Sequence, residues 1–424
     1  MMRVKSAQSA FPLSGVIDPR VYAPEAIPGL LRPDLRRLGL LPPMLGGAPG
    51  GTGTGAHTHG DIVQRLADGT DPNELWKDLQ AQLQIWNQSR QTIVDFLTFP
   101  VTNQVESIAQ GATVDFEAAS EFGVPVAVRE AITTFQLGFT LDWYDIATRY
   151  TWKFLLDADQ RQVDMVHNQI LEADNRLVFT KVMNAIFRNT NRVATIQGQN
   201  YNVYALYNAD GTVPPPYKTN TFAGSHTHYR ATGAATLDSQ DVEFMIDDLR
   251  SHGYGENEGS QIIVMVNKQE GDIMRGFRFG VTNNNSQVAK YDFIPAVGQS
   301  PLIIPNALQG AGLLGGNQPP GQIDGMSVIG SYGPALVVQE DYIPAGYLLM
   351  FATGGSANLG NPVGIREHAN PGARGLQLVQ GPIAQYPLQE SYYRRGFGTG
   401  IRQRGAAFVT QVTAGSYTIP TAYA

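Results

Sequence analysis

Residues 104–141 carry alternating apolar and polar side chains on both sides of a short, turn-rich stretch. The apolar members of this alternation stand before and after Ala119–Gly123: Val114, Phe116, Ala118, Val124, Val126 and Val128. A period of two is typical of β-strands, so the pattern predicts a long two-stranded hairpin. A hairpin of this length has too little core to be stable alone. It must therefore lie on another protein surface.

Amphipathic helices are predicted on both sides of this hairpin. The first covers residues 72–99, with Asp71 as its cap, Pro72 at its first position and Pro100 at its end. The second runs from Asp157 to about Arg188 without Gly or Pro. Its predicted apolar face consists of Val163, Val166, Ile170, Ala173 and Leu177. A helix of ~30 residues is about 45 Å long, which suggests a structural spine.

The remaining segments differ in character. Residues 1–60 are rich in Pro and Gly and lack periodicity, so they are predicted to form an extended arm. From residue 237 an α/β unit is predicted: a helix stopped by Gly253, a buried strand at Ile262–Val266 and a short helix capped by Asn267. Later strands are predicted at Met326–Val338, Tyr347–Phe351 and Ala407–Val412.

The chain of 424 residues has an unusually low content of charged residues. Only 16% are charged and none is cysteine, against about 25% charged in a typical soluble domain. Low charge without long apolar runs predicts surface covered by a partner, most simply copies of the same chain. The absence of cysteine excludes disulfides, Cys-ligated zinc and thiol catalysis. A net charge of −7 argues against a general nucleic-acid coat, which needs a basic excess.

Motifs for chemistry are largely missing from the sequence. It contains no Walker-type loop, HExxH, GxSxG or EF-hand motif. Gly51, Gly53 and Ala56 fit GxGxxA, but the match neither follows a predicted strand nor opens a helix, so a flexible arm explains it better. We therefore predict no enzyme activity, no cofactor and no catalytic residue.

Two His-Thr-His triplets are the best candidates for metal ligands. His57 with His59, and His226 with His228, would each point two imidazoles to one side of an extended segment. Neither pair has an obvious third histidine or carboxylate nearby in sequence, so solvated loop histidines are expected and no metal site is predicted. The acidic pairs Asp247–Asp248 and Glu256–Glu258 are likewise expected on solvated faces.

The only dense basic group is interleaved with aromatic residues near the C-terminus. It contains Arg394, Arg395, Arg402 and Arg404, with Tyr392, Tyr393 and Phe397 between them. Such a group could bind phosphate. Bidentate pairing with carboxylates of a neighbouring subunit is the favoured hypothesis.

Three runs in the C-terminal half resemble a known family. They are Gln339–Tyr347 (QEDYIPAGY), Asn361–His368 (NPVGIREH) and Tyr392–Ala407 (YYRRGFGTGIRQRGAA). In this order they resemble the major capsid proteins of tailed bacteriophages of actinobacterial hosts, which have the Hong Kong 97 fold. At the level of motifs the resemblance covers about 190 residues, and the order of elements extends it to nearly the whole chain.

The resemblance implies an α+β Hong Kong 97-like capsid fold with a particular division of the chain. The implied parts are an N-terminal arm at 1–103 with its helix near 72–99, an extended hairpin loop at 104–142, a peripheral domain with the spine helix and a long connection at 143–236, an axial α/β domain at 237–375, and a return to the peripheral domain at 376–424. The function implied is assembly rather than catalysis.

By this resemblance, subunits would form hexamers and pentamers of an icosahedral shell around double-stranded DNA, without sequence-specific binding and without a membrane. Scaffold, portal and decoration proteins are implied partners, and the protein would be part of the virion after assembly in the host cytoplasm. Two alternatives are an encapsulin-like compartment shell enclosing protein cargo, and a monomeric binding or hydrolytic protein.

One feature departs from the family pattern. The founding member of the fold joins subunits by an isopeptide bond from a lysine on the extended loop to an asparagine. Here no lysine occurs between Lys77 and Lys153, so we predict a non-covalent shell. Aromatic residues dominate buried contacts between proteins. The candidate interface anchors are therefore Trp76, Trp86, Phe116 and Phe122, with packing inside one subunit as the competing explanation.

Overall fold

The computed structural model describes most of the chain after residue 64. The described residues are 65–88, 92–109, 118, 123, 134–256, 260–282, 286–297, 319–323, 326–385 and 388–424. The predicted arm at 1–60 and most of the central part of the predicted hairpin lie outside them. None of the described helices is both long enough and apolar enough to cross a membrane.

Six α-helices lie in the described ranges: α1 Pro72–Gln88, α2 Thr92–Leu97, α3 Trp152–Asp157, α4 Gln160–Phe187, α5 Ser239–Ser251 and α6 Lys268–Met274. The predicted start at Pro72 is confirmed. The prediction of one helix reaching residue 99 is wrong, because α2 ends at Leu97 and Thr98–Val101 form a strand. Pro100 is tolerated there because this strand lies at the edge of its sheet.

The predicted spine helix is confirmed as α4, whose 28 residues correspond to a length of about 42 Å. Its buried face differs in part from the predicted apolar stripe. Val163 and Ile170 are buried as expected, but two polar residues, His167 and Asp174, are buried with them. Polar residues of this kind need partners supplied by other elements.

The strands are β1 Thr98–Val101, β2 Val105–Ala109, β3 Thr134–Gly138, β4 Asp142–Thr151, β5 Arg192–Ile196, β6 Gln199–Val203, β7 Tyr229–Ala231, β8 Gln261–Val266, β9 Phe293–Pro295, β10 Gln322–Ile323, β11 Met326–Tyr332, β12 Ala335–Gln339, β13 Tyr347–Thr353, β14 Val363–Glu367, β15 Leu376–Gln385, β16 Leu388–Ile401 and β17 Ala407–Gln411. Short 3₁₀ helices occur at Pro371–Ala373 and Thr421–Tyr423.

The larger sheet has eight strands. Their order is β10-β11-β12-β8-β13-β17-β7, and β9 pairs with β11. The central strand β8 is parallel to β12 and antiparallel to β13. Successive residues of β8 enter two different core clusters: Val264 packs with residues of α5, and Met265 packs with residues of α4. Burial on both faces explains the continuous apolar run that predicted this strand.

A second sheet has five strands, with β1-β14-β16-β15 in order and β4 paired to β16. β1 is parallel to β14, and β14 is antiparallel to β16. Two further two-stranded sheets are formed by β2 with β3 and by β5 with β6. The strands β7 and β17, which lie outside residues 237–375, belong to the eight-stranded sheet, whereas β14 lies within that range and belongs to the five-stranded one.

The described residues fall into two compact units. One contains residues 65–79 with Ala147–Val163 and Leu378–Tyr392, and the other contains the described residues of Gln80–Ile146, Asp164–Gln377 and Tyr393–Ala424. In the first unit, the N–H of Ala67 donates to the carbonyl of Ala158 at 3.0 Å. The second unit holds both sheet-centred core clusters and every site described below.

Candidate functional site

The root of the predicted hairpin is formed by β2 and β3. β2 and β3 pair in an antiparallel register from Val105–Gly138 to Ala109–Thr134. Beyond this register, the N–H of Phe139 donates to the carbonyl of Gln104 at 3.1 Å. Among the described strands none adds to this pair. The two strands therefore form a sheet of their own, and Phe135 of β3 packs on Tyr204 with ring centroids 4.2 Å apart.

A row of glycines on β16 lets the segment after β3 lie directly on the sheet. Gly396, Gly398 and Gly400 alternate along the strand and therefore share one face. A Cβ at Gly398 would stand 1.8 Å from the carbonyl oxygen of Thr140, and one at Gly400 would stand 2.6 Å from the ring of Phe139. This close approach is the physical reason for glycine at these positions.

Hydrogen bonds also join the hairpin root to the neighbouring strands. The buried guanidinium of Arg366 donates to the carbonyl of Phe139 at 2.9 Å, and the N–H of Thr399 donates to Oγ1 of Thr140 at 3.2 Å. Arg402 Nε donates to Glu106 Oε1 on β2 at 2.9 Å. Charge-assisted bonds of this kind are stronger than neutral ones. The root is therefore held from β14, from β16 and from the segment after β16.

Gly398→Ala is expected to destabilise the subunit by about 3 kcal/mol, because overpacking against a backbone carbonyl forces the root away from β16. Urea unfolding followed by tryptophan fluorescence would measure the change. Gly415→Ala is the matched control, since a Cβ there would meet only Thr413 Oγ1 at 3.7 Å. An unfolding midpoint for Gly398→Ala equal to that of the control would contradict the close approach.

The predicted aromatic anchors have different positions. Trp76 is only 2% exposed, so its side chain is buried within the chain itself. Trp86 is partly buried, and its Nε1–H donates to Asp174 Oδ2 at 3.1 Å. Phe116 and Phe122 lie outside the described residues. The role of these four residues at a subunit interface stays a prediction.

The four predicted arginines are divided between internal and surface positions. Arg395 is buried and pairs with Asp174 of α4. Arg404 is buried and pairs with Asp210 at 2.8 Å, and it also donates to the carbonyl of Ala205 at 2.8 Å.

The other two arginines are more accessible. Arg402 holds Glu106 at the hairpin root, and Arg394 Nε donates to Gln377 Oε1 at an exposed site, 2.8 Å away. All four arginines thus have partners inside the chain. These partners are between 17 and 296 residues away in sequence, so no local motif shows them.

Three histidines and one aspartate converge, contrary to the expectation of solvated loop residues. His228 is fully buried, and His226, Asp248 and His252 place their ligand atoms beside it. Asp248 is 11% exposed, in contrast to Asp247 at 57%. The pair Asp248–His252 is four residues apart at the end of α5, which places both on one face. This i, i+4 spacing is the signal for the site that the sequence carries, and it is visible only once the carboxylate of Asp248 is paired with His252 and not with the His-Thr-His triplet.

Comparison with solved structures gives a relative of nearly the same length. A structure of Mycobacterium phage Patience has 46% sequence identity to this chain, covers 86% of it and 94% of its own chain, and superposes with a TM-score of 0.69. The mature capsid of bacteriophage PhiM1 has 12% identity, covers 77% of this chain and 88% of its own, and has a TM-score of 0.45. No protein-family model and no curated protein matches the chain.

Proposed function

This chain belongs to the major capsid proteins of tailed bacteriophages with the Hong Kong 97 fold, and we propose that its subunits form hexamers and pentamers around double-stranded DNA. A major capsid protein assembles with copies of itself into an icosahedral shell. The observation that carries this conclusion is the 46% identity over 86% of the chain. The protein acts through assembly, and we assign it no catalytic residue.

The hairpin is the element that we propose to lie across an adjacent subunit. Two strands with no further partner strand among the described residues leave unpaired edges, which a neighbouring surface would cover. The arginine contacts and the glycine row hold the root against β14 and β16, which would fix the direction in which the hairpin leaves the subunit. A fixed direction is what a contact repeated throughout a closed shell requires.

The chemistry of the chain is consistent with a container for DNA. A net charge of −7 disfavours strong binding of the shell wall to phosphates, so contact with packaged DNA would be weak and independent of sequence. We propose scaffold, portal and decoration proteins as further partners, assembly in the host cytoplasm, and a final location in the virion capsid.

An exposed apolar loop in the predicted axial domain is a candidate contact between copies. Phe279, Val281 and Val288 are 68%, 56% and 54% exposed. The loop has a defined shape, because the N–H of Gly280 and the carbonyl of Ala289 form a 3.1 Å hydrogen bond. Clustered exposed apolar side chains mark interaction sites. In a shell of identical subunits, the occupant we propose is a second copy of this chain.

Phe279→Asp is expected to prevent assembly while the subunit stays folded, because a carboxylate would be buried at the contact without a partner. Phe279→Leu is the control and should assemble like the wild type. Negative-stain electron microscopy would show icosahedral particles for the wild type and Phe279→Leu only, and circular dichroism would show that all three are folded. Normal particles formed by Phe279→Asp would exclude this loop as a contact.

The contents of wild-type particles test the function itself. Particles from infected cells should contain nuclease-protected double-stranded DNA. Particles that enclose a protein cargo and no DNA would indicate a compartment shell instead. A protein that stays monomeric at high concentration in size-exclusion chromatography would contradict both kinds of shell.

A further inference from the structure

The four clustered side chains come from two different segments of the chain. His226 and His228 come from the connection that leads into β7, whereas Asp248 is in the last turn of α5 and His252 caps its end. The ligand atoms of the four side chains all lie within 4.8 Å of one another. The cluster therefore joins a long loop to a helix terminus.

The distances within the cluster match those of atoms around one small cation. The three Nε2 atoms are separated by 2.9 Å (His226–His252), 3.0 Å (His226–His228) and 3.1 Å (His228–His252). Asp248 Oδ2 is 3.2 Å from His228 Nε2 and 3.5 Å from His226 Nε2. Ligands about 2.0–2.1 Å from a tetrahedral zinc ion are about 3.3 Å apart.

Hydrogen bonding alone does not satisfy this triangle of nitrogens. Each Nε2 either carries a proton and donates or carries a lone pair and accepts, whatever the protonation state of the ring. Because each of the three nitrogens is either a donor or an acceptor, at least two of them are of the same kind. The contact between those two cannot be a hydrogen bond. A central cation removes the conflict, because all three lone pairs then point inward to it.

The surroundings orient His228 for this role. Its Nδ1 is 2.6 Å from the carbonyl oxygen of Ala407, and since a carbonyl only accepts, Nδ1 carries the proton. Nε2 of the neutral ring then has a free lone pair directed into the cluster. A backbone carbonyl on the outer nitrogen is the usual arrangement for a metal-binding histidine.

Aromatic rings enclose the cluster. The ring of Phe222 stacks on His252 with centroids 4.0 Å apart, and Tyr207 stacks on the same imidazole at 5.6 Å. The side chain of His226 is 18% exposed, which gives an ion a path from solvent. The surrounding aromatic rings lower the local dielectric constant, and this strengthens the attraction between a cation and a carboxylate.

Burial lowers the pKa of His228 to about 4 and that of His252 to about 3. Burial opposes the charge of Asp248, but the neighbouring imidazoles lower its pKa on balance. The nearby positive charge of Arg404 is neutralised by Asp210.

We propose that His226, His228, Asp248 and His252 bind one divalent transition-metal ion of the zinc class in each subunit. Three imidazoles and one carboxylate are ligands that suit zinc and its neighbours in the periodic table. Four protein ligands fill a tetrahedral zinc site, so the role is structural. The ion ties the connection before β7 to the end of α5 and stabilises this side of the subunit.

The experiment uses the full-length protein after dialysis against a chelator and then against metal-free buffer. Titration with ZnCl₂ should give one bound ion per chain, measured by elemental analysis, and should raise the melting temperature by several degrees. CoCl₂ should produce the visible absorption of tetrahedral Co²⁺. Absence of binding by the wild-type protein would overturn the proposal.

Variants locate the ion. His226→Gln and Asp248→Asn should each weaken Zn²⁺ binding by about a hundredfold or more and abolish the Co²⁺ spectrum. The double variant His57→Ala/His59→Ala, which removes the other His-Thr-His triplet, should bind like the wild type. Circular dichroism of the metal-free proteins checks folding, and either ligand variant suffices if the other fails to fold. Unchanged binding by a folded ligand variant would place the ion elsewhere and overturn the assignment.

Discussion

Arg395→Met is expected to lower the free energy of unfolding of the subunit by about 3–5 kcal/mol, because removing one partner leaves the other charge buried without compensation. The Arg395 and Asp174 side chains are only 10% and 3% exposed, respectively. The indole N–H of Trp86, which donates to the same carboxylate oxygen at 3.1 Å, does not neutralise the charge. Urea unfolding of the unassembled subunit would measure the loss.

The adjacent residue provides the control for this prediction. Arg394 lies on the opposite face of β16 and donates to Gln377 at an exposed site, so Arg394→Met should change stability by less than about 0.5 kcal/mol. The double variant Asp174→Leu/Arg395→Met should be more stable than Arg395→Met alone, because it no longer buries an unpaired charge. Equal stability of the Arg395 and Arg394 variants would show that the buried pair contributes little.

Boiling purified particles in detergent is expected to release the subunit as one monomer-sized band. An isopeptide bond from the extended hairpin needs a lysine amine, and no lysine lies between Lys77 and Lys153. The shell is therefore expected to depend on many non-covalent contacts, which together stabilise it through multivalency. Denaturing electrophoresis of mature particles measures this directly.

Particles treated with glutaraldehyde before boiling are the control, because they must give a ladder if the gel can resolve cross-linked subunits. A ladder from untreated mature particles would refute the non-covalent shell. Mass spectrometry of the ladder would then identify the residues joined. Such a bond would have to come from a lysine outside the hairpin.

Elements with a strong local pattern could be predicted closely from the sequence. The spine helix, α5, β8 and the Asn267-capped helix α6 all lie within a few residues of their predicted positions. Each is determined by apolar periodicity and by a cap or a glycine close by in the chain. The strand Thr98–Val101 was not predicted, because the parallel pairing with β14 that creates it involves residues more than 260 positions away.

The candidate site depended much more on tertiary structure. The sequence showed the dense arginine group and both His-Thr-His triplets, but Arg395 and Arg404 have partners 221 and 194 residues away. The helix pattern marked Val166 as a buried position of α4, whereas His167 is among the residues actually buried. A polar side chain is buried where another element supplies a partner, and periodicity does not show that partner.

Local periodicity and the family motifs therefore determined the elements, their order and the kind of assembly this chain forms. Tertiary structure decided which charged side chains are buried and which glycines contact the hairpin root. It also brought His226 and His228 together with Asp248 and His252. The physical reason is how far apart along the chain the interacting residues lie. The helices and strands predicted here are favoured by residues a few positions apart. Ion pairs, close backbone contacts and ligand sets form between distant segments that only folding brings together.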